Sequence, residues 1–198
     1  MQLNESLLKD LPMMPPVASR ILSLTAEGGE ISFQKLEETI SLDPMLAGRI
    51  LKTANSAMYA RQREVSTIRA AITLIGYKTI RSLVVIIGAS STFRKDATAR
   101  FYSRFWQHAL LTAFLARECA SHTTLSGRKE ELFLAGLLHD IGQVAMFHAD
   151  RSGYEGLIEE RTTSDVSMRN LEREKYGIDH RELGKEILTR WNFPDLFV

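Results

Sequence analysis

Apolar residues recur along this chain at intervals of three and four, the spacing of helices that bury one face. The pattern is clear in VASRILSL, FQKLEETISL, MLAGRILKTAN and TIRAAITLI, and again in FWQHALLTAFLA and ELFLAGLLHDIG. No pair of alternating apolar–polar runs joined by a hairpin turn breaks it. By composition Leu83 to Ile87 could form a short buried strand, but the helical spacing on both sides favours helix. The chain therefore reads as all-α.

Stop and start signals divide the pattern. Pro15 and Pro16 open a helix that runs to about Glu27, where Gly28 and Gly29 close it. Ser32 is placed to cap the next helix. Asp43 followed by Pro44 is a cap with a proline at the first helical position. Ser66 is read as the cap of TIRAAITLI, with Gly76 as its end. Another helix is expected from Tyr77 to Phe93. After the polar stretch RKDATAR at 94–100 come a long helix, about Phe101 to His122, and a helix from Lys129 to Ile141. A shorter one is expected over Tyr154 to Glu160. Ser167 and Gly177 bracket the next. Asp179 and Glu182 have the spacing of a capping box for the last, which Pro194 ends. The polar stretch divides the chain into residues 1–93 and 94–198. The apolar end NFPDLFV suggests a packing partner further along a longer protein.

The bulk numbers narrow the class. With 44% hydrophobic and 25% charged residues, the chain has the balance of a soluble globular domain. No apolar run approaches the ~20 residues of a membrane span, and the N-terminus is too polar for a signal peptide. The single Cys119 excludes an internal disulfide, which fits a reducing cytoplasm. Its helical setting predicts a small buried hydrophobe. A net charge of +1 argues against a surface built for nucleic acid. The charge is uneven, however. Between residues 45 and 81 Arg49, Lys52, Arg61, Arg63, Arg69, Lys78 and Arg81 face only Glu64. Between 27 and 43 Glu27, Glu30, Glu37, Glu38 and Asp43 face only Lys35. The two tracts can neutralise each other as a solvated surface, or the basic one can serve an anionic ligand or acidic partner.

The candidate chemistry centres on GLLHDIG, residues 136–142. It sets His139 beside Asp140 at the inner end of an apolar helix. If Gly142 closes that helix, Asp140 lies in its last turn, where the helix dipole disfavours a carboxylate. A local rule broken inside a core segment marks a functional position. His108 precedes the pair by 31 residues on the preceding helix, and two antiparallel helices can bring the three side chains together. His180, at the start of the last helix, is a fourth candidate. Imidazole and carboxylate ligands suit a divalent transition metal such as Zn, Mn or Fe, which could activate water against a phosphate ester. Against this stands a hydrogen-bonded structural His–Asp pair. His122 and His148 read as packed histidines.

At this point the chain resembles a known family. FWQHALLTAFLARECA, EELFLAGLLHDIGQVAMF and YGIDHRELGKEILTRWNFP resemble the HDOD domain, a branch of the HD superfamily related to the HD-GYP phosphodiesterases. LPMMPPVASRILSL, SLDPMLAGRILKTANSAMY and VSTIRAAITLIGYKTIRSLVV are similar to its first half, so the likeness spans about residues 6–197. The resemblance implies an N-terminal helical bundle packed on a C-terminal HD-like helical core, together one domain. It also implies a bacterial signalling or regulatory module, often fused to output domains, that works by binding partners. In catalytic HD enzymes a first His, the His-Asp pair and a later Asp hold the metal. His108, His139 and Asp140 match the first three. His180 resembles an extra histidine of the HD-GYP enzymes. Asp165, Asp179 and Asp195, further along, fall in loops or caps and not inside a later helix. The later ligand therefore has no match.

Three functions follow for testing. The first is a non-catalytic regulatory module that uses a groove between the halves to bind a signalling protein, a fused output domain or a small nucleotide-like anion, with no cofactor required. The second is a metal-dependent phosphohydrolase acting on nucleotides or cyclic dinucleotides. The third is a DNA-binding regulator, with KLEETISLDPMLAGRILKTAN as a helix-turn-helix. Met45, Leu46, Ile50 and Leu51 look like core in that segment, which speaks against a reading helix.

Overall fold

The computed structural model describes residues 11, 13–25, 32–56, 59, 65–93, 100–193 and 197. All regular structure among the described residues is helical. Two compact units result: Met14–Thr92, and the chain from Phe93 onward together with the described residues before Met14.

The first unit holds α1 (Pro16–Thr25), α2 (Phe33–Ser41), α3 (Pro44–Ala54), α4 (Ile68–Ile75) and α5 (Tyr77–Thr92). The expected caps do most of the delimiting. The Ser32 hydroxyl accepts from the Lys35 amide, and Asp43 accepts from Met45 and Leu46. Thr67, rather than Ser66, caps α4, accepting from the Ala70 amide. Its side chain has the reach because the helix starts one residue later than read. Gly76 then takes a φ of 86°, in the region that disfavours residues with a Cβ. This turn lets α5 leave α4 at 111°. α2 and α3 pack on α4, and α1 on α2 and α5. Their inner faces bury Ile21, Leu36, Ile40, Ile50, Ile72 and Ile80. Leu83 to Ile87 is helical, inside α5. The two charged tracts meet where Arg69 places Nε and Nη2 each 2.8 Å from Glu37.

Two side chains of α3 depart from the expected core. Leu46 and Ile50 are buried, but Met45 is 70% exposed and Leu51 only half-buried. The buried stripe is the narrow one set by residues four apart. The residues beside it face out or lie at its margin.

The second unit holds α6 (Arg100–Ser121), α7 (Lys129–Leu138), α8 (Ile141–Ala149), α9 (Arg151–Thr163), α10 (Met168–Tyr176) and α11 (His180–Arg190). α6 and α7 run antiparallel along each other: Phe114 meets Phe133 near their joined ends, and His108 meets His139 at the other. α8 packs on α11 and α9, and α9 on α10. Phe101 stacks on Phe147 with centroids 4.1 Å apart, and Tyr102 and Tyr154 set their rings edge-on to Phe147. Full burial of a side chain such as Phe147 is worth roughly 1.5–3 kcal/mol relative to exposure. Trp191, which is buried, ends α11 against Phe93.

Several boundaries differ from expectation. The helix read as Lys129 to Ile141 ends at Leu138 and resumes at Ile141. The one read as Tyr154 to Glu160 extends over Arg151–Thr163, because Asp150 caps it by accepting from the Gly153 amide. Ser167, Gly177 and the Asp179–Glu182 capping box stand as read. Cys119 is exposed, not buried. It falls on the outer side of α6, where apolar neighbours in sequence are not neighbours in the core. Pro194 and Asp195 lie outside the described residues, as does 94–99. By length and composition Ser126–Ala149 could cross a membrane, but 56% of its apolar window is buried within the protein, as in the core helix of a folded domain.

Candidate functional site

The site forms where the second unit's apolar run breaks. α7 stops at Leu138, His139 and Asp140 make a turn, and α8 begins at Ile141. Gly142 is therefore not a helix end but part of α8's first turn. A Cβ there would collide with the backbone carbonyl oxygen of His180. Glycine is required by this approach of α8 to α11, not by a left-handed turn. The break also removes the expected conflict with the helix dipole. Asp140 stands at the N-terminus of α8, where a carboxylate is favoured. It makes no capping hydrogen bond with its side chain, so both oxygens face the site.

α6 sets Arg100, Arg104 and His108 four residues apart, on one face. The His108 side chain is 58% exposed. His139 donates from Nδ1 to the Gly136 carbonyl at 2.8 Å, which leaves Nε2 as the lone pair of the neutral ring. That atom lies 3.3 Å from His108 Nε2 and 3.2 Å from Asp140 Oδ2. His108 Nε2 lies 4.0 Å from the same oxygen. The three ligand atoms are all within 4.8 Å of one another. Two ligands bound at about 2.1 Å to one ion stand ~3–3.5 Å apart, so the donor set fits a divalent transition metal. Gln143 steadies Asp140 by donating to Oδ2 at 2.8 Å.

His180 joins from the other side. Its Nε2 lies 3.5 Å from Asp140 Oδ1, outside the three-atom convergence but against the same carboxylate. Behind it lies a residue that sequence reading missed. Glu172 is buried on α10; its Oε2 accepts from the His180 amide at 2.9 Å and from His180 Nδ1 at 2.6 Å. Its Oε1 accepts from the Tyr154 hydroxyl at 2.6 Å. A signal was present: Glu172 lies beside Leu171 and four residues before Tyr176, on the apolar face of an otherwise charged helix.

These contacts shift the titrations. The Asp140 hydrogen bond raises the His139 imidazole above its usual value, burial working against it. Burial pushes Asp140 up, but its bond to His139 and the charges of His139, His180 and His108 outweigh that and hold it below the usual carboxylate range. Burial first, and Glu172 second, push the Tyr154 hydroxyl far up, so it stays a donor.

The remaining candidates lie elsewhere. His122 is exposed and pairs with Glu118 on its own helix. His148 sets its ring edge-on to Phe93. Asp165 is exposed. Asp179 is buried but committed to capping α11 and to Arg169 and Arg173. Among the described residues no later aspartate joins the cluster. His108 and Asp140 also line a cavity of about 410 Å³, with Arg100, Arg104, Glu155 and Glu159 among its other walls; His139 lines a different one.

The model of the HDOD domain family matches residues 11–198. A Shewanella amazonensis protein named as a candidate phosphohydrolase superposes with a TM-score of 0.80 at 26% identity, over 98% of this chain and 69% of its own. An HDOD domain protein of unknown function from Geobacter sulfurreducens gives 0.75 at 24%, over 98% and 67%. A candidate signal-transduction protein from Marinobacter aquaeolei gives 0.79 at 20%, over 98% and 47%. An uncharacterized Treponema pallidum protein is 24% identical over 188 residues, 94% of this chain, which spans 36% of that relative's length. The match over nearly the whole chain agrees with the paired helical units and with the His-Asp turn between α7 and α8: the chain belongs to the HDOD domain family.

Proposed function

We propose that this chain is a bacterial regulatory module whose His108–His139–Asp140 centre takes a divalent transition metal and, with it, a small phosphate-bearing anion that it holds without hydrolysing. One observation carries this reading: three ligand atoms converge, two of them from residues lining a cavity that also presents Arg100 and Arg104, with no further carboxylate in the converging set among the described residues. His139 and Asp140 hold one side of the centre, and His108 the other. A bound divalent ion would supply the positive charge that draws a phosphate oxygen. The two arginines would meet the remaining phosphate oxygens, a pairing that guanidinium geometry favours. Hydrolysis needs a positioned water and a base to take its proton. Glu172 and Asp179, the two buried carboxylates of this region, are committed to other donors, Glu155 on the cavity wall pairs with Arg151, and Glu159 on the same wall does not converge on the three ligand atoms. Ligand occupancy, read by a partner protein or a fused domain, is the output of the module.

The second reading is a phosphohydrolase, favoured by the similarity to the Shewanella protein. Metal analysis and turnover separate the two. Purified protein incubated with Mn²⁺ or Fe²⁺ is expected to retain one ion per chain, to lose it in Asp140→Asn, and to leave cyclic di-GMP and simple phosphodiesters intact. Pyrophosphate is expected to bind only with the metal present, and more weakly in Arg104→Glu. Robust turnover that disappears in Asp140→Ala would replace the binding reading with the hydrolytic one.

A further inference from the structure

A buried carboxylate persists only when donors satisfy it. Glu172 has three: the Tyr154 hydroxyl on Oε1, and the His180 amide and Nδ1–H on Oε2. Both oxygens are engaged, the side chain is fully buried and it stands outside the converging set, so Glu172 backs His180 and is not itself a ligand. Its two bonds to His180 do different work. The amide bond holds the backbone at the first residue of α11. The ring bond, at 2.6 Å, places the hydrogen on Nδ1, so the neutral imidazole presents Nε2 as a bare lone pair. The side chain is only 9% exposed, and the donation to Glu172 holds its ring in place. Nε2 faces Asp140 Oδ1 at 3.5 Å. When the ring is neutral, neither atom of that pair has a hydrogen to offer the other, and a metal cation can be shared by two such facing acceptors.

We infer that Glu172 is the positioning residue that makes His180 a metal ligand, by keeping the ring hydrogen on Nδ1 and Nε2 open toward Asp140. The assignment rests on reading the cluster as a metal centre. It follows the general arrangement in which a ligating imidazole donates its other N–H to a carboxylate behind it.

The tautomer is measurable without any metal. Nitrogen-15 NMR of the imidazole rings in the metal-free wild type, at mildly alkaline pH, is expected to show His180 with its hydrogen on Nδ1. A His180 ring carrying its hydrogen on Nε2, or on both nitrogens, would overturn the inference. Glu172→Met is expected to weaken Mn²⁺ binding by about 10–100-fold and to release the tautomer. Glu172→Gln, which keeps an acceptor oxygen, is expected to lose less. Equal Mn²⁺ affinity in wild type and Glu172→Met, with binding still abolished in His108→Ala, would leave the metal centre standing and remove Glu172 from it. Absence of Mn²⁺ uptake by the wild type would instead sink the metal reading itself, and with it the ligand role of His180. If Glu172→Met does not fold, the wild-type tautomer still decides.

Discussion

Asp179 is a cap and an ion-pair partner at once. Its carboxylate receives the Arg181 and Glu182 amides at 3.0 Å, and Arg169 and Arg173 at 2.9 and 3.0 Å, with no surface exposed. Burial raises its pKa, but the backbone amide bonds and the two guanidinium groups outweigh this and hold it below 3.8. A depressed carboxylate adds stability above its unfolded value and loses it as pH falls through the folded one. Acid titration is therefore expected to shed this contribution below about pH 4. Asp179→Ala should cost about 2–4 kcal/mol at neutral pH, and the gap to wild type should close in acid; a constant gap across the titration would count against this account. Glycines give a paired test. Gly142→Ala is expected to lose about 1–3 kcal/mol by overpacking, whereas Gly156, in the interior of α9 with open space around it, should gain up to ~1 kcal/mol as Ala. Denaturant unfolding of the two variants checks both signs. Asp179 was legible as a cap from its spacing to Glu182, but not as a buried ion. The two arginines reach it from α10, and no local pattern reports contacts across helices.

The element that sequence reading missed most is the interruption between α7 and α8. Apolar spacing continues through GLLHDIG, so periodicity alone joins the two helices. The break comes from tertiary packing, which draws α8 onto α11. His139 and Asp140 stand out in the sequence all the same, because two polar groups in an apolar run are visible whatever the helix does. Glu172 did not stand out, because charged residues surround it in sequence and its burial depends on Tyr154 and His180. A second element-level device joins α3 to α4. Asn55, which follows α3, donates from Nδ2 to the Val65 carbonyl and accepts the Val65 amide on Oδ1, both at 2.8 Å. One side chain thus imitates a strand neighbour and ties down the approach to the Thr67 cap. Asn55→Ala is expected to cost about 1–2 kcal/mol and to speed hydrogen exchange at the Val65 amide. Unchanged exchange there would show that the pair does not hold the segment.

At the scale of the whole molecule, the all-helical class was readable because helical spacing covers nearly every described segment. The four candidate ligands were readable as residue types. Their arrangement was not: three converge, while His180 stands behind Asp140 with its own carboxylate. If the centre takes metal, binding to the folded chain alone must raise its stability. At a hundredfold excess over the dissociation constant the gain is about 2.7 kcal/mol. Thermal unfolding with and without Mn²⁺ should therefore separate by several degrees in wild type and coincide in Asp140→Asn. The approach of α8 to α11 bears on how clean such comparisons are. On the α11 side Gly142 meets a main-chain carbonyl, an atom every amino acid supplies. The joint is thus indifferent to which side chain residue 180 carries. Exchanging the imidazole is therefore registered elsewhere, at buried Glu172, which loses one of its three donors while the backbone contact between the two helices keeps its own atoms.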